Sequence, residues 1–329
     1  MASTNHLKTI AIVGASGNVG ASTLKHLLAA DRFAITLILR PESKTVALPS
    51  HSAIIIKQGS WDDPAFLQDA FKGQDVAIFA LGFMAMREQA KLVEAAAKAG
   101  VNWILPTEYA GDGNNEAMTA ALPMFQPKAA ARTQIEGLAK ARGGQGPKWI
   151  GIATNPWLEQ SLRIGLLEIK FGDKTAKLFP DAGAFNVSTL ELVGLGITRL
   201  LSLPVKSEGN PRASLEHYAN DFVYISSALV TQEKVFASVL RATKSSESEW
   251  KVDRESTIAQ WIKDSQAKMA EGDVRAGAGL TFAMYMGEGK GGNYQDKALE
   301  DLKVLGLQEV DVDAEVAKAV ALGPMPSPF

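Results

Sequence analysis

The amino-acid sequence predicts an α/β fold, a doubly wound parallel sheet of the Rossmann type with a smaller C-terminal substrate-binding region. Apolar runs of four to six residues alternate with helical patterns through the first half of the chain, which is typical of a parallel sheet covered by helices. The connections between these elements are short, as in most doubly wound folds. A glycine-rich turn after the first run indicates where such a sheet binds a ligand.

The glycine-rich turn follows a strand predicted over Ile10 to Val13 and opens a helix that ends near Ala30. Its glycines recur at a spacing of three, which lets backbone N–H groups approach a pyrophosphate while the helix N-terminus attracts the anion. A lone glycine pattern is common in loops, so the flanking strand and helix carry the prediction. We expect the turn to bind a dinucleotide through Gly14, Ser16, Gly17, Asn18, Val19 and Gly20.

The second strand, Ala34 to Leu39, ends at Arg40, twenty residues after Gly20. A dinucleotide fold places the group that contacts the adenosine ribose at about this distance from the glycine turn. An acidic residue there would favour NAD, whereas an arginine favours the 2′-phosphate of NADP. Arg40 therefore predicts NADP(H) as the cofactor, with an ordinary surface arginine as the alternative.

Four more strands are predicted at 53–56, 76–80, 101–106 and 148–153, with helices from Pro64 to about Gly73, from Met86 to Ala99 and from Pro127 onwards. Asp63 is placed to cap the helix that Pro64 begins. Parallel strands share one carboxyl edge, where the cofactor of a doubly wound fold lies. We therefore expect further cofactor contacts just after the strands, at Ala80, Leu81, Gly82, Asn155 and Pro156.

The second half of the chain is less regular. It predicts helices at 190–201, 231–242, 256–269 and 294–305 and a strand at 222–226. Glycines at 276–279 and 287–292 bracket an apolar stretch, 280–286, which fits either a mobile flap over a substrate or an ordinary surface loop. We expect residues 1–160 to form the NADP-binding domain and 161–329 mainly the substrate-binding region, with parts of about 186–242 returning to the first domain.

Composition excludes several classes of site and partner. The 329 residues contain no cysteine, so disulfides and thiolate chemistry are excluded, and the net charge of −2 gives no reason to expect nucleic acid. The most apolar long stretch, Val187 to Val205, contains Glu191, Arg199 and Pro204, which favours an amphipathic helix over a membrane span. We expect a cytoplasmic monomer or homodimer with a small-molecule substrate, no metal site and no membrane partner.

A second motif follows the fifth predicted strand. The chain reads Ile104-Leu105-Pro106-Thr107-Glu108-Tyr109-Ala110, and Lys128 follows, with Ile135 and Glu136 seven and eight residues after it. Together with the glycine turn, these residues resemble the isoflavone reductase-like and NmrA-like group of atypical short-chain dehydrogenases. The usual loop of that group is phenylalanine-leucine-proline-serine-glutamate-phenylalanine-glycine. The similarity covers most of residues 8–160 and continues more weakly through 186–242.

The resemblance implies that NADPH lies across the carboxyl ends of the strands. It also implies that Lys128, near the nicotinamide, acts as general acid–base or electrostatic catalyst. If Pro127 is the first helical residue, the helix dipole lowers the pKa of Lys128, which suits proton transfer near neutrality. The alternative is a solvated surface lysine. The Tyr-x-x-x-Lys pair of ordinary short-chain dehydrogenases is missing, since the tyrosine nearest before Lys128 is Tyr109.

Three other polar residues are weaker candidates. Glu108 and Tyr109 could act on the substrate, but Glu108 could equally cap backbone amides, and Tyr109 simply replaces the phenylalanine of the group. His217, the only histidine after residue 51, is more typical of a surface or core residue than of a catalyst.

Two functions remain open. The first is an NADPH-dependent reductase that delivers hydride to an unsaturated or carbonyl carbon of an apolar, aromatic or heterocyclic metabolite. Reduction coupled to cyclisation, in secondary metabolism, is a variant of it. The second is a redox sensor that binds the dinucleotide and regulates a partner without chemistry. Lys128 favours the enzyme.

Overall fold

The computed structural model describes residues 5–43, 48–273 and 275–326. Its strands are β1 (Thr9–Val13), β2 (Ala34–Leu39), β3 (Ile54–Gln58), β4 (Val76–Phe79), β5 (Trp103–Leu105), β6 (Lys148–Ala153), β7 (Ile169–Lys170), β8 (Thr175–Lys177), β9 (Phe185–Val187), β10 (Asp221–Tyr224), β11 (Ala228–Val230) and β12 (Lys251–Asp253). Seven of them form one sheet in the order β10-β6-β5-β4-β1-β2-β3, and every pair in it is parallel. The predicted doubly wound sheet is confirmed.

The helices are α1 (Asn18–Ala29), α2 (Pro64–Phe71), α3 (Gln89–Lys98), α4 (Glu116–Ala121), α5 (Phe125–Ala141), α6 (Leu158–Ile164), α7 (Leu190–Leu201), α8 (Gln232–Thr243), α9 (Ile258–Ala270), α10 (Ala276–Met286), α11 (Gln295–Leu305) and α12 (Val312–Leu322). Asp63 caps α2, since its carboxylate accepts from the N–H groups of Ala65 and Phe66 at 2.9 and 3.3 Å. No helix in the described ranges is long and apolar enough to cross a membrane.

The alternation of side chains along β1 divides the core between the two faces of the sheet. Ile10 and Ile12 contribute to a cluster with apolar residues of α1 and α7. Ala11 and Val13 contribute to a second cluster with residues of α2, α3 and α5. The helices therefore cover both faces, and the carboxyl edge of the sheet is left between the two layers.

β10 pairs with β6 although the two strands lie far apart in the sequence. After β6 the backbone leaves for α6, β9 and α7, and it returns at residues 221–224 to pair with residues 150–153. The remaining elements build a third core of their own, in which α8, α9 and α12 surround a three-stranded sheet, β12-β8-β7, and the pair β11-β9. One edge of the Rossmann sheet is thus completed by sequence that lies beyond residue 160.

The stretch 280–286 is neither a flap nor a surface loop. It belongs to α10, and all seven of its residues are buried. Phe282 and Met286 pack into the C-terminal core, while Leu280, Met284 and Tyr285 pack against residues of α4 and α5. A helix that is buried on all sides has no amphipathic period, which is why its pattern and its flanking glycines were consistent with a loop.

We expect the amides of 280–286 to exchange with solvent slowly, because a buried helix opens only through cooperative unfolding. The adjoining turn at 287–291 provides an internal control and should exchange orders of magnitude faster. Hydrogen–deuterium exchange read by mass spectrometry measures both in one peptide map. Equal, rapid exchange in the two stretches would show that 280–286 is mobile after all.

Candidate functional site at the carboxyl edge of the sheet

The glycine turn forms a close-packed cradle at the end of β1. Gly14 has φ +90°, and a Cβ on it would lie 2.2 Å from the carbonyl oxygen of Ala80. A Cβ on Gly20 would lie 2.1 Å from the carbonyl oxygen of Gly14. The turn is closed by a 3.0 Å hydrogen bond from the N–H of Gly17 to that same oxygen. Only glycine fits these two positions, because backbone occupies the space of any side chain.

The N-terminus of α1 begins at this cradle. Its capping residue is Gly17, which offers no side chain, and its first turn holds no acidic residue. The first N–H groups of α1 are therefore available to an anion, and the helix dipole favours one there. A cavity of about 360 Å³ adjoins the turn, lined by Ser16, Gly17 and Asn18 and by residues near the N-termini of α6, α7 and α12, among them Glu159, Glu191 and Glu315. The side chain of Val19, by contrast, points into the core.

Arg40 lies at the end of β2 with its side chain about half exposed. Its guanidinium carbon lies 5.4 Å from the centre of the Trp61 ring, and its Nε lies 3.1 Å from a carboxylate oxygen of Glu42. The amide of Gln58 holds the turn by donating to the carbonyls of residues 40, 41 and 43. A cation is thus presented at the edge of the sheet, with an acidic neighbour that a bound phosphate would displace.

Every polar atom of Thr107 takes part in a hydrogen bond, and these bonds hold the loop after β5 in place. Its N–H donates to the side-chain oxygen of Gln89 at 2.7 Å, and its hydroxyl donates to the carbonyl of Phe79 at 3.0 Å. The same hydroxyl accepts from the N–H of Leu81 at 3.3 Å. Because these partners lie on β4 and α3, the loop is tied to the neighbouring strand and helix. Leu81 and Gly82 continue from β4 beside it, and a Cβ on Gly82 would meet no atom within 4 Å.

Lys128 of α5 lies beneath this loop and is 3% exposed. Its Nζ donates to the carbonyl of Thr107 at 2.8 Å and to the carbonyl of Glu108. Within the described ranges these carbonyls are the hydrogen-bond acceptors of the ammonium group, which leaves its third N–H for another acceptor. Burial lowers the pKa of Lys128 to about 8, while the field of Glu108 opposes that shift and the field of Arg132 adds to it.

The cause of this lowered pKa differs from the one predicted. α5 begins at Phe125, two residues before Pro127, so Lys128 is its fourth residue. Removal from water, which disfavours the charged form, is the dominant cause. The alternative of a solvated surface lysine is excluded by its burial.

Glu108 does not cap backbone amides. Its carboxylate accepts from Arg132, with Oε1 2.6 Å from Nη1, and Oε2 is buried with no hydrogen-bond partner among the described residues. Burial raises the pKa of Glu108, although both Lys128 and Arg132 lower it. Arg132 could have been noticed in the sequence, because it lies four residues after Lys128 and so on the same helix face. The Tyr285 hydroxyl accepts from the N–H of Gly111 at 3.0 Å. Neither Tyr285 nor Gln89 could have been noticed in this way, because no spacing in the sequence relates them to the motif.

Tyr109 and Asn155 have φ +36° and +52°, and both side chains are buried. In the part of the chain that the structure describes, the Tyr109 hydroxyl has no hydrogen-bond partner, and burial raises its pKa well above the ordinary value. The Asn155 amide donates to the carbonyl of Gly292 at 2.6 Å, and the carbonyl of Pro156 accepts from Ser188. Asn155 and Pro156 therefore anchor the C-terminal region to the end of β6. Their contacts to a cofactor stay predictions.

His217 lies on the 3₁₀ turn Leu215–Tyr218, just before β10. It lines a cavity of about 220 Å³ together with residues of β10 and α11, and its ring packs edge-on against Tyr218 at 4.8 Å. Within the described ranges, no group of histidine, aspartate and glutamate side chains could hold a metal ion.

A nicotinamide dinucleotide fits the residues at this edge. The glycine cradle and the uncapped N-terminus of α1 suit a pyrophosphate, and the cation of Arg40 suits a ribose phosphate. The buried ammonium of Lys128 lies at the same edge, after the neighbouring strands. The arrangement can bind a dinucleotide and transfer a proton next to it.

Comparison with known proteins finds one matching family model and several similar proteins. Residues 6–142 match the model of the NmrA-like family. The oxidoreductase aprR of Aspergillus flavus is 27% identical over 315 residues, which cover 94% of this chain and 97% of that protein. A phenylcoumaran benzylic ether reductase of Pinus taeda is 31% identical over 139 residues, 39% of this chain and 44% of that protein.

Among solved structures, AtPrR2 with NADP⁺ and (+)pinoresinol superimposes with a TM-score of 0.71. The match covers 95% of this chain and 99% of AtPrR2 at 18% sequence identity. The TM-score and the coverage establish a shared fold, which extends over the C-terminal region as well as the sheet. At this identity the comparison shows the fold alone.

Substituting Gly14 by alanine should destabilise the protein by about 2–5 kcal/mol, since a left-handed residue costs about 1–2 and a buried clash about 1–3 kcal/mol. Gly73→Ala is the matched control, because Gly73 also has a positive φ, +75°, but a Cβ there meets nothing within 4 Å. Urea unfolding of both variants measures the difference. Equal losses would mean that the contact with Ala80 relaxes freely.

Proposed function

We propose that this chain, which matches the model of the NmrA-like family over residues 6–142, is an NADPH-dependent reductase of an apolar, aromatic or heterocyclic small molecule. The observation that carries the proposal is the buried ammonium of Lys128, held by two loop carbonyls at the edge where the glycine cradle lies. A buried lysine with a lowered pKa at that place favours an enzyme over a protein that only binds the dinucleotide.

The relatives support a reductase. aprR is named an oxidoreductase and matches over nearly its whole length, and the Pinus taeda relative is named a reductase of a benzylic ether. AtPrR2 was crystallised with NADP⁺. Arg40, at the end of β2, supports the same cofactor for this chain, because a guanidinium pairs well with the 2′-phosphate that distinguishes NADP from NAD.

Bound NADPH would supply the hydride. The glycine cradle and the α1 N-terminus would hold the pyrophosphate, and Arg40 the 2′-phosphate. As the acceptor carbon gains the hydride, the electron pair of its double bond, or of the C–O bond that breaks in a benzylic ether, moves to the neighbouring oxygen or carbon. Lys128 donates its proton to that atom, or stabilises the charge there through its third N–H, and afterwards regains a proton from water.

An apolar substrate is supported by the surface next to this edge. Phe83 and Met84 follow Gly82 on a 3₁₀ turn and are 75% and 77% exposed, an unusual state for large apolar side chains. Rings fit such surroundings better than charged groups do. Whether ring closure follows the reduction is told by the mass and connectivity of the product.

The role of Lys128 predicts a pH-dependent activity. The protonated lysine is the proton donor, so kcat/KM should fall as pH rises through about 8. Lys128→Ala should lose about 10²–10⁴-fold in kcat, the usual contribution of general acid catalysis, while binding of NADP⁺ survives. Lys128→Arg is the matched variant, because it keeps the charge but does not give up a proton near neutrality.

NADPH oxidation, followed with a panel of quinones, benzylic ethers and triphenylmethane dyes, measures these rates. Full activity of Lys128→Ala would overturn the assigned role. Consistent NADP⁺ binding without turnover of any compound, together with capture of a defined partner, would instead favour a sensor.

Cofactor preference should depend on Arg40 and Glu42. Arg40→Gln should weaken NADP⁺ by about 1.5–3 kcal/mol, the usual value for a charged hydrogen bond, and leave NAD⁺ nearly unchanged. Glu42→Gln should tighten NADP⁺, because it releases Arg40 from its ion pair and removes repulsion of the phosphate. Thermal-shift titrations with both dinucleotides measure this, since a ligand raises stability according to its affinity. Equal stabilisation of the wild type by NAD⁺ would contradict the assignment of Arg40.

A further inference from the structure

We propose that Glu108, clamped by Arg132, is the positioning residue that keeps Lys128 protonated and in place, and that the rings of Trp149 and Phe222 hold the clamp. The inference rests on the proposed function, because it assigns a second layer of residues to the same site. Lys128 would then depend on four elements of the fold: the loop after β5, α5, β6 and β10.

The clamp is defined by short, buried contacts. Arg132 lies one helical turn after Lys128 on α5, and its Nη1 lies 2.6 Å from Oε1 of Glu108. The guanidinium carbon lies 5.4 Å from the ring centre of Trp149 and 5.2 Å from that of Phe222. The Arg132 side chain is 12% exposed and that of Glu108 is 1% exposed, so water hardly screens this pair.

The two rings are themselves fixed. They meet edge-to-face at 5.4 Å, and the Trp149 indole N–H donates to Glu136 at 2.8 Å. Phe222 fills the space beside two glycines, since a Cβ on Gly113 or Gly151 would lie 2.3 or 2.5 Å from its ring. Arg132 therefore has little freedom to leave Glu108, because both rings lie against its planar group.

Glu108 acts on Lys128 in two ways. Its backbone carbonyl accepts from the ammonium group, and its carboxylate supplies the nearby negative charge. The tight turn at this point, with the Glu108 N–H 2.8 Å from the carbonyl of Pro106, fixes the direction of both groups. Among the described residues, Glu108 and Arg132 are the charged groups whose fields act on Lys128, and the buried Tyr109 hydroxyl beside Glu108 stays neutral.

Direct titration of Lys128 tests this without any substrate. In cofactor-free protein labelled with ¹³C-lysine, the Cε signal of Lys128 is identified by its absence from Lys128→Arg, and its pKa is followed by NMR. Glu108→Gln keeps the shape and removes the charge, so the pKa of Lys128 should fall, because the carboxylate no longer favours the ammonium. Glu136→Gln, which removes a carboxylate from the same helix and keeps an acceptor for Trp149, should leave that pKa unchanged.

Glu108→Gln leaves Arg132 buried without a counter-ion, which destabilises the fold, so a companion variant is measured beside it. Glu108→Gln/Arg132→Gln provides it, since two amides can hydrogen-bond to each other with no buried charge. The pKa of Lys128 should still fall, but less, because the attraction of Glu108 outweighs the repulsion of Arg132. An unchanged pKa in both variants, or an equal fall in Glu136→Gln, would overturn the proposal.

The rate supplies a second readout in the active enzyme. At pH 9 the kcat/KM of Glu108→Gln should lie below that of the wild type by about tenfold for each unit of pKa lost, and at pH 6 within about twofold. A merely structural role would lower both values alike. A shifted NMR pKa without any NADPH oxidation would leave this inference standing and count against the reductase. Turnover of a compound together with an unshifted pKa of Lys128 would support the reductase and overturn this inference.

Discussion

The hydrogen bonds from Lys128 to the carbonyls of Thr107 and Glu108 are the interaction on which the rest of the site depends. A buried ammonium is costly unless acceptors replace its lost water. Here backbone oxygens replace it, so the loop after β5 must present two carbonyls in one direction. Thr107 makes this possible, because its N–H, hydroxyl and carbonyl bond to three different side-chain or backbone partners.

Burial dominates the electrostatics of this site. It raises the pKa of Glu108 and lowers that of Lys128, so both groups are driven towards their neutral forms against their mutual attraction. Arg132 stays charged in any case and limits the rise in the pKa of Glu108. The site thus keeps a lysine that can gain and lose a proton near neutral pH, which a solvent-exposed ion pair would not provide.

Most of the sheet could be predicted from the sequence, because each strand is a short apolar run next to a helical pattern. The glycine turn and Arg40 follow from local spacing in the same way. The clamp could not be predicted as a whole, since Arg132 and Trp149 are local to the motif but Phe222 arrives from β10, some ninety residues after Arg132. The helical state of 280–286 was also hidden, because burial on all sides removes the periodicity by which a helix is recognised.

The late arrival of β10 has a consequence for how the protein can be made. A ribosome that has released only residues 1–160 has exposed β6 as an unpaired edge, with Trp149 in place and the other half of the aromatic clamp still unsynthesised. Such an edge is a template for pairing with other chains. The nascent Rossmann half is therefore open to aggregation until 221–224 docks, and Lys128 reaches its final surroundings only at that moment.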